Sequence, residues 1–93
     1  NFGWADLGTW GALHEASPKD QHKNVIVNGH TMLYDCRDNI IAMPKGKLAV
    51  VQGLEDYLVA DTNNVLLICK KDDESTIRRY VNDAQIKLGD EFV

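Results

Sequence analysis

The sequence predicts a mainly β protein with a helix on each flank. Short apolar runs, separated by turn residues, fill the middle of the chain from 25 to 69, and apolar residues recur at helical spacing before and after them. With 93 residues, of which 44% are hydrophobic, the chain is long enough for one small domain.

The N-terminal flank, residues 6–16, is expected to form a short helix. Leu7, Trp10 and Leu13 lie three residues apart and therefore share one helical face. A proline and several small polar residues then interrupt the pattern, so residues 17–24 are predicted to be a linker loop.

Six short apolar runs in the middle of the chain predict six strands. Gly, Asn, Asp and Pro residues stand between the runs, and the connections are too short for crossover helices. The pattern leaves two arrangements open, an antiparallel meander and the coils of a small solenoid. The predicted strands span 25–27, 31–36, 39–43, 47–52, 56–61 and 65–69. The predicted turns lie at 28–29, 37–39, 44–46, 53–55 and 63–64.

The last part of the chain predicts an amphipathic helix over 73–88. Its apolar residues recur at helical spacing, and its acidic start suits the positive end of a helix dipole. The helix offers one apolar stripe and no catalytic pattern, so we expect it to cap the C-terminal end of the β unit. The stripe consists of Ile77, Tyr80, Val81, Ala84 and Leu88.

Composition excludes several classes of function. The net charge is -4 and no long Lys/Arg cluster is present, so nucleic acid is not an expected partner. No apolar run is long enough for a membrane span, and no signal peptide is recognisable. The chain does not begin with Met, which suggests a part of a longer protein.

Cys36 and Cys69 are the two cysteines, and they lack the spacing of a metal site. Buried free thiols are favoured over a disulfide or a catalytic thiol. A cytoplasmic location is therefore expected.

The segment 3–10 is the strongest candidate for a functional site. It places two Trp, two Gly and one carboxylate, Asp6, close together. A carboxylate before a helix can be a Mg²⁺ ligand, because Mg²⁺ takes one or two protein carboxylates and completes its shell with water and phosphates. The alternative is that Asp6 is only the N-cap of the following helix.

In combination, these segments resemble mannose-1-phosphate guanylyltransferases, also called GDP-mannose pyrophosphorylases. The resemblance covers almost the whole chain and rests on a W-x-D-x-G-[ST]-W element, a short β stretch, G-K-L, and a G-x-E-D-hydrophobic-V-x-D-T element. The matching residues are 2–10, Leu13, Asp35, Asn39, 46–49 and 53–62.

The resemblance implies an enzyme that forms GDP-mannose and pyrophosphate from GTP and mannose 1-phosphate. It implies Mg²⁺ as cofactor, with Asp6 as one metal ligand opposite an Asp of the nucleotide-binding half. It also implies that 1–16 ends the N-terminal catalytic domain. The segment 25–93 would then be a small left-handed parallel β-helix with a capping helix over 73–88.

The chain lacks the Gly-rich phosphate loop and the first metal Asp of such enzymes. We therefore expect the isolated chain to be inactive. A second interpretation is that the β unit is a non-catalytic interaction module that mediates homo-oligomer contacts. In that case Asp6 only caps a helix.

Overall fold

The computed structural model describes residues 18–62, 65–71 and 74–88, without the side chains of Glu74 and Leu88. Within these ranges the chain forms six strands followed by a helix, as the sequence predicted. The predicted helix over 6–16 lies outside the described residues. The elements are β1 (Val25–Val27), β2 (His30–Tyr34), β3 (Ile40–Ala42), β4 (Leu48–Gln52), β5 (Tyr57–Asp61), β6 (Leu66–Lys70) and α1 (Glu74–Leu88).

The strands pair as stacked coils. β1, β3 and β5 are parallel neighbours in one sheet, β2 and β4 form a second parallel sheet, and a parallel bridge joins Arg37 to Glu55 on a third side. Because the chain returns to the same side in the same direction, the fold is a β-helix and the meander alternative is wrong. The left-handed sense stays a prediction from the resemblance. β6 then pairs with β5 in the antiparallel direction.

Turns with left-handed backbone recur at equivalent corners of successive coils. Asp38 and Asp56 have φ values of 58° and 63°, and Asp35 and Gly53 have values of 56° and 81°. The members of each pair stand 18 residues apart, the same offset that pairs His30 with Leu48. The connection between the two sheets, by contrast, has five residues between β3 and β4 and only two between β1 and β2. This difference explains why no regular six-residue repeat is visible in the sequence.

The four-stranded sheet carries apolar residues on both faces. Ile41 and Val59 point inward and pack with Leu33, Ala49 and Val51 of the second sheet. On the outer face, Ile40, Ala42, Leu58 and Ala60 are fully buried and pack with Ile77 and Val81 of α1.

The position of α1 differs from the expected one. The helix lies on the outer flank of the four-stranded sheet, and the interior of the coil at β6 is left open, with Leu66 59% and Ile68 55% exposed. The flank is favoured because every second residue of β3 and β5 presents apolar surface there. Tyr80, expected on the apolar stripe, is 37% exposed.

Both cysteines are free thiols, as predicted. Cys36 is buried, and its thiol lies 3.4 Å from the carbonyl of Tyr34 and 3.5 Å from that of Val51. Cys69 is partly buried against the cluster under α1.

Candidate functional site

Asp6, the candidate metal ligand, lies outside the described residues, so its role stays a prediction. In the part of the chain that the structure describes, no group of three or more His, Cys, Asp or Glu side chains could hold a metal ion. What this part offers is a scaffold held by buried hydrogen bonds and a polar cleft.

Two buried asparagines form the centre of the scaffold. Asn24 and Asn39 precede β1 and β3 and are 1% and 0% exposed. The Oδ1 atom of Asn24 accepts hydrogen bonds from the backbone N–H of Asn39 at 3.0 Å and from its Nδ2 at 3.1 Å. Asn39 in turn accepts the N–H of Tyr57 at 2.8 Å and donates to the carbonyl of Leu54 at 2.9 Å. The two side chains thus tie three successive coils together.

A polar cleft of about 520 Å³ opens between the loop before β1 and the third side of the coil. It combines three carboxylates with one Arg and one His, and Leu33 and Cys36 are its less polar lining residues. Its mixed charge and lack of a ligand cluster suit a solvated surface better than a catalytic centre. The lining residues are Asp20, Gln21, His22, Leu33, Asp35, Cys36, Arg37 and Glu55.

Asp20 anchors the loop at the edge of this cleft. Its carboxylate accepts the N–H groups of His22 and Asn24, each at 2.8 Å, and the side-chain amide of Asn24 at 3.2 Å. Burial alone would raise the pKa of Asp20, but the hydrogen bonds from Asn24 and His22 outweigh it and hold the pKa below its usual value.

Lys71 joins the end of β6 to two stacked corners. Its Nζ donates to the carbonyl of Asp38, and its backbone N–H donates to the carbonyl of Asp56 at 2.7 Å. Burial lowers the pKa of Lys71, although the negative charges of Asp56 and Asp38 act in the opposite direction. These contacts make Lys71 a structural residue.

Asp61, which belongs to the motif that carries the resemblance, is 8% exposed and forms an ion pair with Lys47 at 2.6 Å. The pair joins the end of β5 to the turn before β4. Lys47 belongs to the G-K-L part of the same resemblance. Both residues therefore hold the coils in register.

Sequence reasoning named Asn39 only as part of the resemblance and missed Asn24, the pairing of the two asparagines and Lys71. A signal for the asparagines was present, because Asn24-Val25 and Asn39-Ile40 repeat an Asn before an apolar strand at an interval of 15 residues. No local pattern marks Lys71, since its partners lie far away in the sequence.

The comparison with protein families decides the assignment. The model of the MannoseP isomerase/GMP-like beta-helix domain matches residues 20–83. The chain belongs to this family. The matched range includes every strand and most of α1, so these elements form the β-helix domain. The resemblance that the sequence indicated is confirmed.

Relatives of the β-helix domain are much longer proteins. The mannose-1-phosphate guanylyltransferase of Salmonella muenchen is 30% identical over 82 residues, which are 88% of this chain and 17% of that protein. The alginate biosynthesis protein AlgA of Pseudomonas aeruginosa is 33% identical over 81 residues, covering 87% of this chain and 16% of the relative. The chain therefore spans about a sixth of the length of these relatives.

A solved structure shares the fold. The crystal structure of mannose-1-phosphate geranyltransferase from Thermus thermophilus aligns with a TM-score of 0.69 at 23% identity and covers 82% of this chain and 23% of that one. Within the described residues, no helix has both the length and the apolar character needed to cross a membrane.

Proposed function

We propose that this chain is the C-terminal part of a mannose-1-phosphate guanylyltransferase, which forms GDP-mannose and pyrophosphate from GTP and mannose 1-phosphate. The observation that carries the proposal is the family match over 20–83, which begins shortly after the W-x-D-x-G-[ST]-W element at 4–10. The names of the relatives support the same reaction. A cytoplasmic location would suit nucleotide and sugar-phosphate substrates.

The reaction joins two anions, the phosphate of the sugar and the α-phosphate of the nucleotide. Bound Mg²⁺ would screen their mutual repulsion and stabilise the charge of the departing pyrophosphate. Asp6 is the residue of this chain proposed to bind it, since a carboxylate is a ligand type that Mg²⁺ prefers. GTP binding itself is assigned to residues outside this chain.

The β-helix has a supporting role in this proposal. Its coils are tied by the asparagine pair and by the ion pair between Lys47 and Asp61, and its outer flank is closed by α1. Such a body changes shape little, so it can hold an attached catalytic element in a constant position.

The test is Asp6→Asn in the full-length enzyme that contains this chain. The amide keeps the shape of the side chain and much of its capping ability, but removes the charge that Mg²⁺ needs. We expect turnover to fall by about 10²-fold or more, with a higher Mg²⁺ concentration required for half-maximal rate. Asp83→Asn, on the exposed surface of α1, is the matched control and should leave both quantities unchanged. Wild-type turnover and Mg²⁺ dependence in Asp6→Asn would exclude the metal role.

A second candidate function is an interaction module that mediates homo-oligomer contacts. The open end of the coil favours it, because Leu66 and Ile68 of β6 are more than half exposed there. Sedimentation of the full-length enzyme with Ile68→Lys tests it. An unchanged number of subunits would exclude this end of the coil as an assembly surface.

A further inference from the structure

The corner between β1 and β2 brings two groups together that can react with each other. It consists of Asn28 and Gly29 alone, and both have left-handed backbone, with φ values of 56° and 67°. Glycine has no Cβ, so it shields its own backbone nitrogen less than any other residue does. Attack of that nitrogen on the side-chain carbonyl carbon of the preceding Asn closes a five-membered ring. The sequence contains an Asn-Gly pair only at this corner.

The structure leaves both reacting groups without protection. The side chain of Asn28 is exposed. Within the described residues, its amide forms no hydrogen bond, and the backbone N–H of Gly29 donates none. The first N–H after the corner, that of His30, does donate, to the carbonyl of Lys47 at 2.9 Å. The amide of Asn28 is therefore free to rotate toward a nitrogen that can lose its proton to water.

The other asparagines that the structure describes are protected. Asn24 and Asn39 are buried and hydrogen-bonded to each other. The N–H that follows Asn24 belongs to Val25 and donates to the carbonyl of Asn39 at 2.8 Å. Asn82 lies within α1, where the next N–H belongs to the hydrogen-bond ladder of the helix. Each of these three would have to lose hydrogen bonds before a ring could close, and such local opening has a free-energy cost in a folded chain.

We propose that Asn28 is a site of spontaneous, non-enzymatic deamidation in this protein. The deprotonated nitrogen of Gly29 attacks Cγ of Asn28, and the new C–N bond closes a succinimide. The C–NH₂ bond breaks with release of ammonia, whose additional proton comes from water. Water then opens the ring at either of its two carbonyls. No enzyme, oxidant or cofactor takes part, so the inference is independent of the proposed reaction.

The two products differ in how they fit this corner. Aspartate is compatible with left-handed backbone, as Asp35, Asp38 and Asp56 show at other corners. Isoaspartate, whose main chain runs through the former Cβ and Cγ, adds one methylene group to the backbone before Gly29. That glycine has little room to move, since a Cβ on it would lie 2.7 Å from Cβ of Met43. We therefore expect isoaspartate, but not aspartate, to open the corner and destabilise the β-helix.

The test of the site is incubation of the 93-residue chain at mildly alkaline pH, followed by digestion with trypsin and mass spectrometry. Cleavage after Lys23 and after Arg37 releases residues 24–37, so Asn24 and Asn28 are compared within one peptide. We expect Asn28 to be modified at least about tenfold faster than Asn24. The rate should rise with pH, because the attacking nitrogen must lose its proton.

Asn39 and Asn82 serve as further internal controls, and a sample in urea serves as the unfolded reference. Two results would overturn the proposal. The first is a rate at one of the protected asparagines that equals or exceeds the rate at Asn28. The second is an unmodified Asn28 in the folded chain after a time that is sufficient to modify it in urea.

The effect on stability is measured with a variant that separates the new charge from the longer backbone. Asn28→Asp introduces the charge alone, and the isoaspartate form is separated from the incubated chain by ion exchange. We expect Asn28→Asp to unfold at the temperature of the unmodified chain, and the isoaspartate form to unfold about 5 °C lower or more. Equal midpoints for these two forms would contradict the tight fit of the corner. A lower midpoint for Asn28→Asp would assign the effect to the charge instead.

Discussion

Asn24 and Asn39 occupy the same position in successive coils, and the carbonyl oxygen of Asn24 accepts both the backbone N–H and the side-chain amide of Asn39. Neither side chain is accessible to water. Buried amides with every partner in place fix the register of the coils, since a shift of one residue would leave several polar groups unpaired.

Replacement of Asn39 by Ala should destabilise the fold by about 2–4 kcal/mol. The change removes the acceptor of the partly buried N–H of Tyr57 and one of the two donors to the carbonyl of Leu54, which keeps only the N–H of Arg37, and it leaves a gap at a fully buried position. Urea unfolding followed by circular dichroism measures the loss. Asn82→Ala, on the exposed side of α1, is the control and should change stability by less than about 0.5 kcal/mol. Equal effects of the two variants would show that the asparagine pair is not a stabilising element.

Gly29→Ala should cost more stability than Gly46→Ala. Both glycines have positive φ, 67° and 82°, so either substitution strains the backbone by about 1 kcal/mol. A Cβ on Gly29 would also lie 2.7 Å from Cβ of Met43, whereas one on Gly46 meets nothing within 4 Å. We expect a further loss of about 1–3 kcal/mol for Gly29→Ala. Thermal unfolding compares the two, and identical midpoints would contradict the close approach of these corners.

Asp20 should make the stability of the chain depend on pH in the acid range. Its folded pKa lies below the unfolded value of about 3.9, so the ionised form stabilises the fold. This contribution is present above the unfolded pKa and is lost as the pH falls through the folded pKa. The difference in unfolding free energy between wild type and Asp20→Asn, measured in urea from pH 6 to pH 2.5, should shrink on acidification. A constant difference for Asp20→Asn across this pH range would contradict the prediction.

The 93-residue chain alone should not make GDP-mannose and should bind Mg²⁺ only weakly. A single carboxylate rarely holds Mg²⁺ without substrate phosphates, and the described residues contain no other ligand cluster. Pyrophosphate release from GTP and mannose 1-phosphate tests the first point, with the full-length enzyme as positive control. Calorimetry with MgCl₂ tests the second. Synthesis by the purified chain would refute the division of function proposed here.

Local patterns predicted much of the fold. The six apolar runs became strands whose boundaries differ from the predicted ones by at most two residues, and the predicted turns at 28–29 and 44–46 contain left-handed residues in the structure. The candidate site could not be predicted from local patterns alone. The metal role of Asp6 was predicted mainly from the family resemblance, and Asp6 lies outside the described residues.

The sequence by itself determined the strands, the turns, the C-terminal helix and the family. Each of these depends on neighbouring residues or on motifs read in order. Only the tertiary structure decided that the strands are parallel, that α1 covers a flank and that two asparagines join the coils. The physical reason is that the alternation of side chains along a strand defines its two faces but does not define which other strand pairs with it. Contacts such as Asn24 with Asn39, 15 residues apart, form only when a whole coil closes.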